Sequence, residues 1–278
     1  MRVIKDDEES LYLEGPIPYS GIVNVGSHQS YKKLALTKSP NFPAKYARGL
    51  MVYSEIQELW LWSKVFRTAM PHIIGLPKLE TLDILFLRKP GSRLCSFSDA
   101  EKLKIFRCNT GLIESDLIAI SSAPALEVFG AQSAMVTDRA LDALMKAPNI
   151  HSVDLEATGF CDSFAAKIAE STQITTLELG SNPISAAGFK SICSMSQLKH
   201  LDIWHTNIKA HDLVHLENLE KLEYLSVGGY YDCDELKAED ILPIISKMPS
   251  IRRLWLDGVS LTEAQKAELT EKYEYFRN

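Results

Sequence analysis

The sequence has no segment suited to crossing a membrane or entering a secretory pathway. No stretch reaches the roughly 18 unbroken apolar residues of a membrane helix, because Pro77, Lys78 and Glu80 interrupt the most apolar region. Residues 1–9 turn acidic where a secretory signal needs its apolar centre. We therefore expect a soluble, cytoplasmic protein that has no membrane partner.

Cysteine is scarce, and its pattern argues against a disulfide framework or a cysteine-based zinc site. Both kinds of cross-link need paired or regularly spaced cysteines. The cysteines here are odd in number and form no CxxC pair; they are Cys95, Cys108, Cys161, Cys193 and Cys233. We expect free thiols, which agrees with a reducing compartment.

Common catalytic motifs are also missing. The sequence has no Gly-x-Gly-x-x-Gly, no P-loop and no Gly-x-Ser-x-Gly, so it lacks the usual phosphate cradle and nucleophile elbow. His211 and His215 are spaced like zinc ligands on a helix, but no third ligand accompanies them. An enzyme using His200 and Asp202 as acid and base is an alternative that lacks a nucleophile. We expect a protein without enzyme activity, metal or cofactor.

Negative charge is concentrated in the second half of the chain. The net charge is −6; residues 1–150 carry 18 Lys and Arg against 16 Asp and Glu, whereas residues 151–278 carry 12 against 20. An acidic surface repels phosphate backbones and attracts cations. We therefore expect a basic protein as partner and no nucleic acid.

The most frequent pattern in the sequence is a motif of regularly spaced leucines. The motif L-x-x-L-x-L recurs nine times at intervals of 21 to 29 residues. We place the middle apolar residue of each copy at the centre of a strand: Leu59, Leu82, Leu103, Leu126, Val153, Leu177, Leu201, Leu225 and Leu254. One such unit has no core of its own, so it must bury its apolar face against its neighbours.

The fullest copies, residues 174–184 and 198–208, carry Asn182 and Thr206 at the ninth position, where a side chain can bond turn backbone. These motifs resemble the leucine-rich-repeat superfamily. The segment Ala-Ala-Gly-Phe-Lys-Ser-Ile at 186–192 is most similar to the short helical repeats of ribonuclease-inhibitor-like and bacterial GALA-type proteins. The resemblance implies an α/β leucine-rich-repeat solenoid, a horseshoe with a parallel concave sheet and outer helices.

The two ends of a solenoid need covers. The boundaries that we predict within a single domain, 1–278, are 1–30 for an N-terminal β cap, 31–260 for the repeats and 261–278 for a C-terminal helical cap. In the first cap, strands are expected at 11–13 and 22–25. In the second, Thr262 and Gln265 form a capping box that opens a helix through about Phe276.

The predicted concave face is aromatic and acidic. The fifth and seventh motif positions alternate with core positions and should project from this face. With the turn residue His205, the predicted partner-binding residues there are Trp60, Trp62, Phe106, Phe129, Glu127, Asp154, Glu156, Glu178, Asp202, Trp204, Trp255 and Asp257. Exposed tryptophans beside carboxylates have the composition of a binding hot spot. Two alternatives stay open: the rings could pack on one another, and the acidic strip could simply face water.

The eighth unit is longer than its neighbours, and residues 230–235 are the predicted insertion. Tyr230 and Tyr231 join the predicted partner-binding residues if the insertion is a loop on the rim. A longer helix start is the equal alternative.

These features predict a non-enzymatic protein-binding module. A lone short solenoid suggests a stoichiometric inhibitor, such as a bacterial immunity protein against a basic toxin. An adaptor or effector that recruits a regulatory or ubiquitin-type complex is the alternative. Both rest on analogy between folds and on charge.

Overall fold

The chain folds into two compact units, Met1–Ile150 and His151–Asn278, which are described one at a time. The structure is a computed structural model, and it describes residues 1–24, 30–88, 93–229 and 236–278. Among these residues, no helix has the length and apolar character needed to span a membrane.

In the first unit, strands and helices alternate along the chain. The strands are β1 (Arg2–Asp6), β2 (Ser10–Glu14), β3 (Lys33–Thr37), β4 (Glu58–Val65), β5 (Thr81–Leu87), β6 (Ile105–Thr110) and β7 (Val128–Ala131). The helices are α1 (Tyr19–Asn24), α2 (Ala44–Gly49), α3 (Met70–Ile74), α4 (Glu114–Ile120) and α5 (Asp138–Met145), with 3-10 turns at Leu50–Val52 and Arg67–Ala69. β1 and β2 are antiparallel, and each later strand of this unit pairs in parallel with the one before it.

The second unit repeats the same alternation with shorter strands. Its strands are β8 (Ser152–Asp154), β9 (Thr176–Glu178), β10 (His200–Asp202), β11 (Tyr224–Ser226), β12 (Arg253–Trp255) and β13 (Tyr275–Arg277). Its helices are α6 (Asp162–Ile168), α7 (Ala186–Ile192), α8 (Ala238–Ile245) and α9 (Glu263–Lys272), with a 3-10 helix at Ala210–Asn218. All of its described strand pairs are parallel and follow chain order.

A buried apolar residue stands at the centre of each repeat strand, side by side with the same residue of the next strand. In the first unit these residues are Leu34, Leu59, Leu82, Phe106 and Phe129; in the second they are Val153, Leu177, Leu201, Leu225 and Leu254. Stacking therefore builds each core from neighbouring repeats. The predicted centres are confirmed at Leu59, at Leu82 and throughout the second unit.

The predicted centres at Leu103 and Leu126 were wrong by three residues. Phe106 pairs with Leu82 on one side and with Phe129 on the other, and both phenylalanines are 0% exposed. Leu103 and Leu126 precede their strands and are also buried. The error arose because each repeat has two apolar core positions three residues apart, and in these two copies only the first is a leucine.

Asn182 connects successive turns of the second unit. Its side chain donates to carbonyls of its own turn and the preceding one, and accepts from backbone N–H groups of the preceding turn, at 2.7 to 3.2 Å. The turn residues Ala157, Ser181 and His205 all have φ near +55°, in the left-handed region. The predicted backbone-bonding role of the ninth position is confirmed at Asn182.

The predicted secondary structure at the two ends was partly wrong. The strand expected at 22–25 is replaced, over its described residues, by the end of α1, while β2 contains the strand predicted at 11–13. At the other end, the Thr262–Gln265 capping box opens α9 as predicted. The helix ends at Lys272 rather than near Phe276, because the last residues form β13 alongside β12.

A buried ion pair joins two elements of the first unit. The guanidinium of Arg67, in the turn after β4, lies 2.5 Å from a carboxylate oxygen of Asp116 on α4. Arg67 also donates to the Gly111 carbonyl at 2.9 Å, and Asp116 accepts from the backbone N–H of Ile113 at 2.9 Å. Each charge is therefore compensated by an ion pair and a hydrogen bond, which burial requires.

Candidate protein-binding face

One row of side chains on the strands of the second unit points away from the helices. Since side chains on a strand point alternately to opposite faces, the residue after each buried centre lies on the open face of the sheet. In strand order these residues are Asp154, Glu178, Asp202, Ser226, Trp255 and Arg277, each paired in register with the next. The open face therefore carries acidic side chains at one end and an aromatic and a basic one at the other.

The last five of these residues, with residues of the adjoining turns, line a cavity of about 220 Å³, which we call the acidic cleft. Its lining residues are Glu156, Glu178, Gly180, Asp202, Trp204, Ser226, Trp255, Asp257 and Arg277. Four carboxylates and two indoles thus meet in one place, with one cationic side chain. Six of the predicted partner-binding residues are brought together here, and Asp154 lies beside them on β8.

The carboxylates of the cleft repel one another. Burial raises the pKa of Asp202, although hydrogen bonds from the Trp204 backbone N–H, at 2.8 Å, and from the Ser226 hydroxyl act in the other direction. Burial also raises the pKa of Glu156, and the neighbouring charges of Asp154 and Asp202 raise it further. The ionised cluster therefore destabilises the folded chain in the absence of a ligand, and a bound cation would offset this destabilisation.

We expect Asp202→Asn to stabilise the second unit, and to do so more at pH 7 than at pH 4. A carboxyl whose pKa is raised by folding binds its proton more tightly in the folded chain, so stability falls as the pH rises from the usual value, 3.8, through the raised one. Asparagine removes that loss and keeps an acceptor for the Trp204 N–H. Thermal unfolding at the two pH values measures the difference, which should reach a few degrees at pH 7. If the gain in stability were the same at both pH values, or smaller at pH 7, the ionised Asp202 carboxylate would not destabilise the folded chain.

Among the described residues that line the acidic cleft, only Arg277 is cationic. Its guanidinium lies 4.8 Å from the centre of the Trp255 ring, and its Nε lies 3.3 Å from a carboxylate oxygen of Asp257. Sequence reasoning missed this residue because the helical pattern was extended over β13. The pairing of β12 with β13 is what brings Arg277 beside Trp255.

His200 lies on β10, two residues before Asp202 and near Glu178. Its ring stacks on Tyr224 with centroids 3.9 Å apart, and lies 3.7 Å from a Glu178 oxygen. Burial and, to a smaller extent, the nearby charge of Arg253 lower its pKa to about 4. It is therefore neutral and weakly basic near pH 7. His205 lies on the turn after β10, with its ring 5.2 Å from that of Trp204.

Trp60 and Trp62 form an aromatic group in the first unit. Both project from the open side of β4; Trp60 lies 5.8 Å from Tyr12, ring centre to ring centre. Trp62 is 51% exposed and donates a hydrogen bond to Asp83, whose pKa burial raises. Among the four tryptophans, which we expected to be well exposed, Trp62 is the most open, whereas the others are partly buried.

Phe106, Phe129 and Glu127 were wrongly assigned to the open face. Phe106 and Phe129 pack on each other in the core, with ring centroids 6.3 Å apart. Glu127 lies before β7 at the edge of the sheet, beside Lys104, whose ammonium pairs with Glu80. The three-residue shift of register is the cause. Two further predicted residues, Tyr230 and Tyr231, lie outside the described residues.

The repeated parallel strands, the helices between them and the turns joined by Asn182 define an α/β leucine-rich-repeat solenoid. An internalin, InlF, from Listeria monocytogenes has a similar fold, with a TM-score of 0.51 at 14% identity over 97% of this chain and 86% of that one. The actin-binding site 2 of leiomodin-1 matches 51% of this chain and 90% of its own, at 18% identity and a TM-score of 0.39. No family model and no curated protein matches the sequence.

Proposed function

We propose that the chain is a non-enzymatic protein-binding module whose acidic cleft holds a basic segment of a partner protein. The observation that carries this proposal is the cleft itself, whose described lining combines four carboxylates and two tryptophans with one arginine. Arginine–carboxylate and cation–aromatic contacts are both available there to an incoming basic side chain.

Two physical effects favour binding at this place. The raised pKa values of Glu156 and Asp202 reflect unfavourable burial of charge, so a cation that enters the cleft relieves a cost already present in the free chain. Trp204 and Trp255 supply rigid aromatic area beside these charges, and such residues carry much of the binding energy at protein interfaces. The cleft therefore combines steering by charge with aromatic anchoring.

The finer role that we propose is stoichiometric inhibition of a basic protein, of the kind an immunity protein performs. A module that covers a basic surface blocks whatever that surface binds, without any chemistry of its own. This role requires one cleft to engage one partner surface. A titration of chain against an isolated partner should therefore end at a molar ratio of one, and catalytic amounts of chain should leave the partner active.

The charge component can be tested with the double variant Glu156→Gln and Glu178→Gln. The probe is the basic peptide acetyl-Arg-Lys-Arg-Lys-Arg-Lys-amide, and its association is followed by stopped-flow tryptophan fluorescence. We expect association to slow by about tenfold at low salt and to depend less on ionic strength, because long-range attraction acts mainly on the on-rate.

A matched control separates the cleft from net charge. Glu268→Gln and Glu271→Gln remove two charges from exposed positions on α9 in the same unit. This control should bind the basic peptide nearly as the unaltered chain does. If association slows equally in both double variants, the effect is due to net charge alone. If it slows in neither, the cleft is not the binding site.

A further inference from the structure

Arginine side chains already lie on aromatic rings at two places near the acidic cleft. Arg277 lies over Trp255 and pairs with Asp257, as described above. Arg253 lies over Tyr224 on the neighbouring strand, with its guanidinium carbon 5.3 Å from the ring centre. Both contacts are made across adjacent strands of the second unit.

The chemistry of these contacts is specific to arginine. A guanidinium is planar and weakly hydrated, so it can stack on an indole while its N–H groups donate in plane to a carboxylate. A lysine ammonium is a compact, strongly hydrated point charge. It has no planar group that could stack on an indole and donate to a carboxylate at the same time. A site built from indoles and carboxylates therefore distinguishes the two cations by shape.

The Trp204 indole and the carboxylates of Asp202 and Glu156 line the same cavity. A Cβ at position 180 would lie 3.4 Å from a carboxylate oxygen of Asp202, 3.7 Å from Cγ of Glu156 and 3.3 Å from the Trp204 carbonyl oxygen. Asp202, Glu156 and the Trp204 carbonyl therefore lie around one point of the cleft. Trp255 lines the cavity as well, with Arg277 over its ring.

We propose that the acidic cleft takes an arginine side chain of the partner, stacked on the Trp204 indole and paired with Asp202 or Glu156, in the way that Arg277 engages Trp255 and Asp257. This inference rests on the proposed function and narrows its ligand from a basic segment to an arginine. A partner that presents only lysines would be a poor ligand.

The test compares acetyl-(Arg)4-amide with acetyl-(Lys)4-amide, two peptides of equal formal charge, by isothermal titration calorimetry. We expect the arginine peptide to bind on the order of tenfold more tightly. Equal affinities would overturn arginine recognition while leaving the binding of basic segments intact. Failure of both peptides to bind would overturn the proposed function as well.

Two variants locate the discrimination. Trp204→Leu should bring the ratio of the two affinities close to one, since an aliphatic side chain cannot stack with the guanidinium; a preserved ratio would exclude Trp204. Gly180→Ala changes no charge and places a methyl group against Asp202 and Glu156, so it should weaken binding of the arginine peptide several-fold; thermal unfolding checks that the variant is folded. Unchanged binding by a folded Gly180→Ala chain would also overturn the proposed position.

Discussion

Trp204→Ala should weaken binding of the basic peptide by about 30-fold, which corresponds to about 2 kcal/mol. The indole lines the acidic cleft beside Asp202, so its removal takes away both aromatic area and part of the wall that shields the carboxylates from water. Folding should be nearly intact, because Trp204 lies on the open face rather than among the buried centres of the repeats. Calorimetric titration gives the affinity, and thermal unfolding checks the fold.

The control for this variant is Trp62→Ala. Trp62 is the most exposed tryptophan and belongs to the first unit, so its loss removes an indole without touching the cleft. We expect its effect on peptide affinity to be less than about threefold, within the range of near-neutral interface substitutions. A larger loss with Trp62→Ala than with Trp204→Ala would move the binding site to the aromatic group around β4.

Asp116→Ala should lower the free energy of unfolding of the first unit by about 3 to 5 kcal/mol, because it leaves the charge of Arg67 buried without its partner. The cost arises from desolvation rather than from a lost attraction. Denaturant unfolding measures it.

Replacing both members of the pair provides the comparison. In the double variant Arg67→Met and Asp116→Leu no charge stays buried, and much of the stability should return. A loss below about 1 kcal/mol for Asp116→Ala would show that water reaches the pair. A double variant no more stable than Asp116→Ala would assign the loss to packing instead.

Most of the repeat could be predicted from spacing alone, and its one error has an identifiable cause. The corrected strand centres from Leu59 to Leu225 follow one another at steps of 23 or 24 residues, whereas the wrong centres, Leu103 and Leu126, require steps of 21 and 27. The evenness of the corrected steps is a signal in the sequence. It was obscured because phenylalanine takes the place of leucine at both centres.

Alternation along the strands predicted that Asp154, Glu178 and Asp202 lie on one face of the sheet, and the structure pairs them in register there; their role in binding stays a prediction. Two other features depend on tertiary structure. Arg277 enters the cleft because β13 pairs with β12, although the preceding helical pattern favours continuation of α9. Gly180 comes next to Asp202 and Glu156 only in the folded chain, where a Cβ at its position would contact both side chains.

The most direct test of the binding face is an NMR titration of the four tryptophan indole N–H signals with the basic peptide. Assignment uses single Trp→Phe variants. We expect the signals of Trp204 and Trp255 to shift in proportion to bound peptide, while those of Trp60 and Trp62 stay in place. Shifts confined to Trp60 and Trp62, or a bound peptide that moves none of the four, would contradict binding in the acidic cleft.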